Sequence, residues 1–375
     1  SLMCVRNRSA RISVFEGRYG ATRLGDRSPV LPAGIGGFDR TSAFPHCLSD
    51  RRHTAPAKTF FKTRSSGIIV TDFDSLSRRE TLIGAGTALG ATGSLDTLGR
   101  VFDADGDDFE QPDGEGTLAA CSFNVRYDNP EDDYPWTSRL PRVAEAVDRV
   151  DPELLGVQEA QPNQFTDLRE TISDYDWYGI GREGGDESEA VPVAWSPDRF
   201  DVRERGVFWL SPTPDTPSVG WGAENPRIST WVGLTDVETG ADFWFCNTHF
   251  SHVDAEARRR SAEIVRERAS RRAEDGEMVV VTGDLNSVPT APPYHVLTGR
   301  TGAGPSPVVD GRREAGTASV YGPWGTYHGF TDELEDRIDY VFTPAEADVL
   351  QYRTLGIREG AYRSDHLPVV THFEP

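Results

Sequence analysis

Residues 118–375 form a succession of short apolar runs, most separated by turns rather than by helical periods. The runs 118–127, 154–158, 177–181, 191–196, 202–210, 228–235, 243–248, 278–283, 338–342, 350–355 and 369–373 read as strands. Helical spacing is confined to 139–150, to 255–272 and to a short stretch near Tyr294. So many strands with so few helices predict an α/β fold: two packed mixed β-sheets flanked by helices, a four-layer α/β sandwich, in one domain over 118–375.

The ends of these runs carry polar groups that a dry core does not hold. Asn124 follows Cys121-Ser122-Phe123, Glu159 follows Gly156-Val157-Gln158, and His249 ends Cys246-Asn247-Thr248. Asp284-Leu285-Asn286 ends the 278–283 run, Asp339 sits in Arg337-Ile338-Asp339-Tyr340, and Ser364-Asp365-His366 precedes the last run. Taken singly, each has an ordinary explanation, because strand-end Asn and Asp form turns and a lone His is most often a satisfied structural residue.

Taken in this order, they resemble the endonuclease/exonuclease/phosphatase superfamily, whose members share strand-end Asn, Glu, Asp-X-Asn, Asp and Ser-Asp-His motifs. The resemblance spans 118–375 and extends to motifs of an exported or uncharacterised bacterial and archaeal branch. These are Asn124-Val125-Arg126-Tyr127-Asp128, Phe208-Trp209-Leu210-Ser211, Pro226-Arg227, Asn247-Thr248-His249-Phe250 and Arg337-Ile338-Asp339-Tyr340. It implies a phosphoesterase that cleaves a phosphodiester or phosphomonoester by direct attack of activated water.

The residue types fit that chemistry. Phosphate-ester hydrolysis needs a hard cation, and Glu159, Asp365 and Asn124 are oxygen ligands suited to Mg²⁺ or Mn²⁺. The resemblance gives Asp284 the role of orienting or deprotonating water, with Asn286 beside it. Two residues apart on a strand, these two side chains are expected on one face, with Leu285 in the core. His366 is expected to meet the phosphoryl group as donor or acid, with Asp339 accepting its other ring proton. His249 resembles the phosphate-contacting histidine of the deadenylase, sphingomyelinase and inositol-phosphatase branches, where abasic-site endonucleases carry a tyrosine motif.

Arg182 and Arg227 are candidates to grip phosphate oxygens, with Tyr178, His252 and His328 on the leaving-group side. Surface arginines among so many carboxylates also pair with them for no functional reason. Trp136, Trp209, Trp221, Trp231, Trp244 and Trp324 suit an aromatic-lined cleft or, as the better reading for most, core packing. Arg258-Arg259-Arg260 sits between Glu256 and Glu263 on a helical stretch and reads as a solvated face.

Charge separates the first part of the chain from the rest. Of 39 basic residues only Lys58 and Lys62 are lysines, and they face 60 acids. A surface so acidic and lysine-poor reads as salt adaptation, and in molar salt the Debye length shrinks to roughly 3 Å, so nucleic acid stays among the candidate substrates. Residues 1–69 instead carry a net +8, with no sustained period, and read as a non-native upstream extension or a disordered segment. Within 70–117, Ser77-Arg78-Arg79-Glu80-Thr81-Leu82-Ile83 opens a nearly uncharged run and then an acidic linker, which resembles a twin-arginine export signal.

Four scattered cysteines lack metal-ligand spacing, and no stretch approaches the roughly 20 apolar residues of a membrane span. The expected protein is an exported, Mg²⁺- or Mn²⁺-dependent monomer acting on a phosphate ester, either a nuclease or a sugar- or inositol-phosphate phosphatase, without stable membrane insertion. The alternative of another class is a non-catalytic, cation-stabilised binding protein. N-terminal sequencing of the protein from its native host is expected to recover no residue before Val70; recovery of any earlier residue removes the extension reading.

Overall fold

The computed structural model describes residues 111–375, apart from 113, 115, 302, 303, 358 and 359. The expected extension, nearly all of the leader region, Cys4 and Cys47 lie outside the described residues. Strands β1 (Leu118–Asn124), β2 (Leu154–Gln158), β3 (Asp176–Tyr178) and β4 (Val193–Trp195) join β10 (Val320–Tyr321), β12 (Asp348–Thr354) and β13 (Val369–Glu374) in one sheet. Its order is β10-β12-β13-β1-β2-β4-β3. The second sheet runs β5 (Phe200–Trp209), β6 (Ile228–Asp236), β7 (Asp242–His249), β8 (Met278–Asp284), β11 (Asp339–Pro344) and β9 (Val308–Asp310). Both are mixed, with β1–β2, β10–β12 and β7–β8 parallel among antiparallel neighbours.

Period-two alternation divides the core into the expected layers. In sheet one, Cys121, Phe123, Leu155 and Val157 pack against Val143, Val147 and Val150 of helix α1 (Trp136–Val150). In sheet two, Trp244, Cys246, Val279 and Val281 meet Ala262, Val265 and Ala269 of helix α3 (Ala255–Glu274). The intervening positions, Leu118, Ala120, Leu154, Phe243, Phe245, Val280 and Val341, fill the slot between the sheets. Cys121 and Cys246 are buried thiols, and burial pushes Cys121 up to about 12.

Several elements depart from the sequence expectation. The first strand stops at Asn124 because Arg126 takes a left-handed φ of 57°. Helix α2 (Pro162–Thr171) was not expected; it is short, buries only Gln164 and Leu168, and begins with proline and a Gln161/Gln164 capping box. Strands β9 and β10 and the one-turn helix α5 (Gly311–Glu314) are too short to carry a period, whereas α4 (Pro292–Leu297) matches the helix expected at Tyr294. Arg259 and Arg260 pair with Glu256 and Glu263 on the solvent side of α3. Among the described residues, no helix is long and apolar enough to cross a membrane.

β9 is held by a buried ion pair. Arg337 Nη1 donates to Asp310 Oδ2 at 2.9 Å, and the Tyr294 hydroxyl donates to the same oxygen at 2.8 Å. Asp310→Ala leaves the Arg337 charge buried and unpaired, so urea unfolding is expected to show a loss of about 3–5 kcal/mol; a midpoint within error of wild type contradicts this account.

Candidate active site

The slot between the sheets changes character toward one end. On β1, Leu118 and Ala120 give way to Ser122 and Asn124; on β7, Phe243 and Phe245 give way to Asn247 and His249. On β8, Val280 gives way to Thr282 and Asp284, which pairs in register with Asp339 on β11. Adjacent polar strand ends therefore converge at the mouth of the slot, in a cleft of about 610 Å³ that is open to solvent.

Asp284 is the centre. Its Oδ2 accepts from Asn124 Nδ2 at 3.1 Å and lies 3.5 Å from His249 Nε2 and 3.9 Å from His366 Nε2. Behind His366, Asp339 Oδ2 stands 2.9 Å from Nδ1, and the Tyr327 ring packs edge-on with centroids 5.0 Å apart. Burial alone would discharge His366, but Asp339 outweighs it, by charge and by hydrogen bond, and Asp365 and Asp284 add to the effect. The net result holds the imidazole pKa well above its ordinary value. Burial and then the Asp339 charge raise the Asp284 carboxyl to about 7, against the pull of His366.

His249 behaves oppositely. Burial, then the charges of Arg227 and His366, drive its pKa well below the ordinary imidazole value, so it is neutral. The Asn286 amide donates to Phe250 O at 3.1 Å, which fixes the amide orientation, and the same nitrogen reaches His249 Nε2 at 3.1 Å. Nε2 is therefore the acceptor and Nδ1 carries the proton. That buried Nδ1 has no hydrogen-bond partner, nor have Arg182 Nε and Arg227 Nη1. His249 Nδ1 lies 4.0 Å from Glu189 Oε1, and the Arg182 and Arg227 side chains line the cleft, where their charges are suited to an oxyanion.

Glu159 enters the cleft through a bulge. Val157 pairs with Pro192 and Ala160 with Ala190, so Gln158 and Glu159 together oppose Val191, and Glu159 adopts a left-handed φ of 64°. Glu159 Oε1 accepts from Asn124 Nδ2 at 3.1 Å, and Oε2 accepts from Tyr127 N at 3.0 Å. Asn124 thus offers its amide hydrogens to the cleft, while its oxygen accepts from Arg126 N at 3.0 Å. Asp365, on the loop before β13, has Arg126 Nη1 3.7 Å from Oδ2. Burial raises Asp365, His366 and Arg126 draw it back, and the Glu159 charge pushes it further up.

The Glu159 charge raises the proton affinity of Asp365 and of Asp284, and all their donors are hard oxygens, so these carboxylates fit a Mg²⁺- or Mn²⁺-type ion. Among the described residues, the tightest acid and histidine group is Asp284, Asp339 and His366. Its shortest contact is the His366–Asp339 hydrogen bond, so we read it as a proton-handling pair beside Asp284 rather than as a cage.

Arg182, Arg227 and His252 line the cleft as expected, with Arg227 Nη2 2.9 Å from His252 Nδ1. Tyr178 and His328 do not. Tyr178 lies at the far edge of sheet one under Arg205, 4.7 Å from the ring centroid. His328 is buried behind His366, stacked on Tyr362, with Nδ1 3.1 Å from Thr331 O. Asp284 and Asn286 face one site, but not through strand alternation. β8 ends at Asp284, Asn286 takes φ 45°, and Asn286 N donates to Asp284 Oδ1 at 2.7 Å. No tryptophan is among the cleft-lining residues; Trp136, Trp209 and Trp244 are core.

Sequence reasoning left out Arg126, Tyr127, Glu189 and Tyr327, which all line the cleft. The first two sit inside the Asn124–Asp128 motif, which was signal enough. Glu189 closes an acidic stretch that looks solvated, yet its carboxylate is mostly buried and accepts from Arg182 Nη1 at 2.8 Å.

The family model described as "Endonuclease/Exonuclease/phosphatase family" matches residues 121–366. Among solved structures, an endonuclease/exonuclease/phosphatase family protein from Bacteroides thetaiotaomicron is 33% identical with TM-score 0.62, covering 68% of this chain and 97% of that one. A mannosyl-6-phosphatase from Bacteroides thetaiotaomicron VPI-5482 is 32% identical with TM-score 0.63, covering 68% of this chain and 99% of that one. An uncharacterized protein of Acanthamoeba polyphaga mimivirus is 27% identical over 164 residues, 41% of this chain; the chain spans 60% of that relative's length.

Asp339→Asn removes what holds His366 charged, so the imidazole followed by NMR is expected to titrate below its wild-type value. The stabilisation from the charged pair is complete below the unfolded imidazole pKa of about 6.5. It disappears as pH rises through the raised folded value, and the variant is expected to lack this pH dependence in urea unfolding. Unchanged titration of His366 contradicts the pairing.

Proposed function

This chain belongs to the endonuclease/exonuclease/phosphatase family, and on that premise we propose that it is a divalent-cation-dependent phosphoesterase acting on small hydroxylated phosphate monoesters such as sugar phosphates. The observation that carries the phosphoesterase reading is the placement of Asp284 Oδ2 within reach of Asn124, His249 and His366, with Asp339 behind His366.

Asp284, raised to about 7, is poised to orient an attacking water and take its proton near neutral pH. Asn286 holds one oxygen of Asp284 through its backbone and holds His249 through its amide. Arg182, Arg227 and His249, which line the cleft, are the groups offered to phosphoryl oxygens. His366, charged and braced by Asp339, donates to the phosphoryl or leaving oxygen. Glu159 and Asp365 are the residues that would hold the cation, with Asn124 tying Glu159 to Asp284. When bound, the cation supplies charge neutralisation at the phosphoryl oxygens.

The monoester reading draws support from the mannosyl-6-phosphatase likeness over 99% of that chain. It also draws on the cleft itself, where Glu189, Glu335 and Asp336 stand among the lining groups, able to accept hydroxyls but ill-suited to a polyanion. Polynucleotide cleavage is the second reading, favoured by the Tyr127 and Tyr327 rings in the same cleft. The Ser77-Arg78-Arg79 segment supports a proposal of export.

The test is product release in molar salt with Mg²⁺ or Mn²⁺ from sugar phosphates, inositol phosphates, bis-p-nitrophenyl phosphate, DNA and RNA. Selective release of inorganic phosphate from sugar phosphates is expected, with kcat lower by about 10²–10⁴-fold in His366→Ala. Polynucleotide cleavage without free phosphate establishes the second reading. Full activity in His366→Ala removes the assigned site.

A further inference from the structure

The segment that carries Glu159 has a gap in its hydrogen-bond ladder, and a side chain from the other sheet fills it. Val157 N donates to Pro192 O at 3.0 Å. An antiparallel hydrogen-bonded pair normally returns a second bond to the Val157 carbonyl, but proline has no amide hydrogen to give. Asn247 supplies the missing donor: its Nδ2 reaches Val157 O at 2.7 Å and Pro192 O at 2.9 Å.

Asn247 belongs to β7 in sheet two, is fully buried, and stands two residues before His249. Its Oδ1 accepts from Gln158 Nε2 at 2.7 Å and from Thr282 Oγ1 at 3.1 Å. Two donors and two acceptor positions are thereby all used, and the two carbonyl partners fix which end of the amide is nitrogen. Gly156 makes the approach feasible, because a Cβ there would lie 2.1 Å from Thr282 Oγ1 and 2.6 Å from Asn247 Oδ1.

Three of the four residues tied to Asn247, Val157, Gln158 and Thr282, lie within two positions of a cleft residue. Val157 and Gln158 lead into the bulge and the left-handed Glu159, a conformation that persists only where its surroundings over-determine it. Thr282 precedes Asp284 by two residues on β8, as Asn247 precedes His249 on β7. We propose that Asn247 is a positioning residue for cation binding: by pinning the bulge from the opposite sheet, it sets the Glu159 carboxylate against Asn124 and, through it, Asp284. This deepens the reading of Glu159 as a cation ligand and rests on it.

The test is direct Mn²⁺ binding by the cation-stripped full chain, read as loss of the free-ion EPR signal, with thermal unfolding measured alongside. Asn247→Leu is expected to weaken Mn²⁺ binding by about tenfold or more. Adding Pro192→Ala, which returns an N–H opposite the Val157 carbonyl, is expected to recover most of that loss. Val280→Ala, a core change in the slot, is expected to lower Tm while leaving Mn²⁺ affinity within about twofold.

Wild-type affinity in Asn247→Leu, or an equal loss in Val280→Ala, overturns the proposal. If Asn247→Leu does not fold, Thr282→Val carries the test, because it removes only the bond to Asn247 Oδ1; about threefold weaker binding supports the role and no change overturns it. A wild-type chain that binds no Mn²⁺ overturns the cation reading of the site and this inference with it. That outcome differs from one in which wild type and Asn247→Leu bind alike, which overturns the role of Asn247 alone.

Discussion

Two sheets that share one dry slot turn every second residue of their central strands toward each other, and that constraint places the chemistry. Over most of the slot those positions are apolar, from Leu118 and Leu154 across to Phe245, Val280 and Val341. At one end the same faces read Asn124, Gln158, His249, Asp284 and Asp339. Polar groups so largely buried are held by satisfying one another. The pairing of His366 with Asp339 and of Asn124 with Glu159 and Asp284 follows from burial as much as from catalysis.

Burial also sorts the two histidines. Both lie within 4 Å of the same Asp284 oxygen, at 3.5 and 3.9 Å, yet one is driven neutral and the other charged. The difference is the partner behind each ring. His366 backs onto the Asp339 carboxylate, whereas His249 is buried near the arginines Arg227 and Arg182, and its ring nitrogen meets the neutral Asn286 amide. A single carboxylate is thus flanked by one imidazole that can give a proton and one that holds its proton on the opposite nitrogen.

How much of this was legible in the sequence depended on how local the determining contacts are. The strands that alternate regularly and the polar residues at their ends stand out, because period two and a sudden Asn, Glu or Asp are local signals. Helix α2 is hidden because only Gln164 and Leu168 are buried, leaving no stripe to detect. Tyr178 and His328 are misplaced for a different reason: where an edge strand or a loop side chain points is decided by tertiary packing, here by Arg205 and Tyr362. Glu189 escapes notice among Glu183, Asp186 and Glu187, since composition cannot tell the one acid that is buried from its solvated neighbours.

The position of β13 carries a consequence for the order in which the molecule comes into being. Last in sequence among the described elements, it lies inside sheet one, paired with β1 on one side and β12 on the other, and Phe373 stands opposite Leu118. Asp365 and His366 arrive on the chain just ahead of it. A nascent chain emerging from the ribosome therefore holds Asn124, Glu159, His249 and Asp284 long before the residues that finish both the sheet and the site. Closure is a long-range event that synthesis itself postpones, so a chain made only as far as β8 lacks the Asp339, Asp365 and His366 side of the cleft.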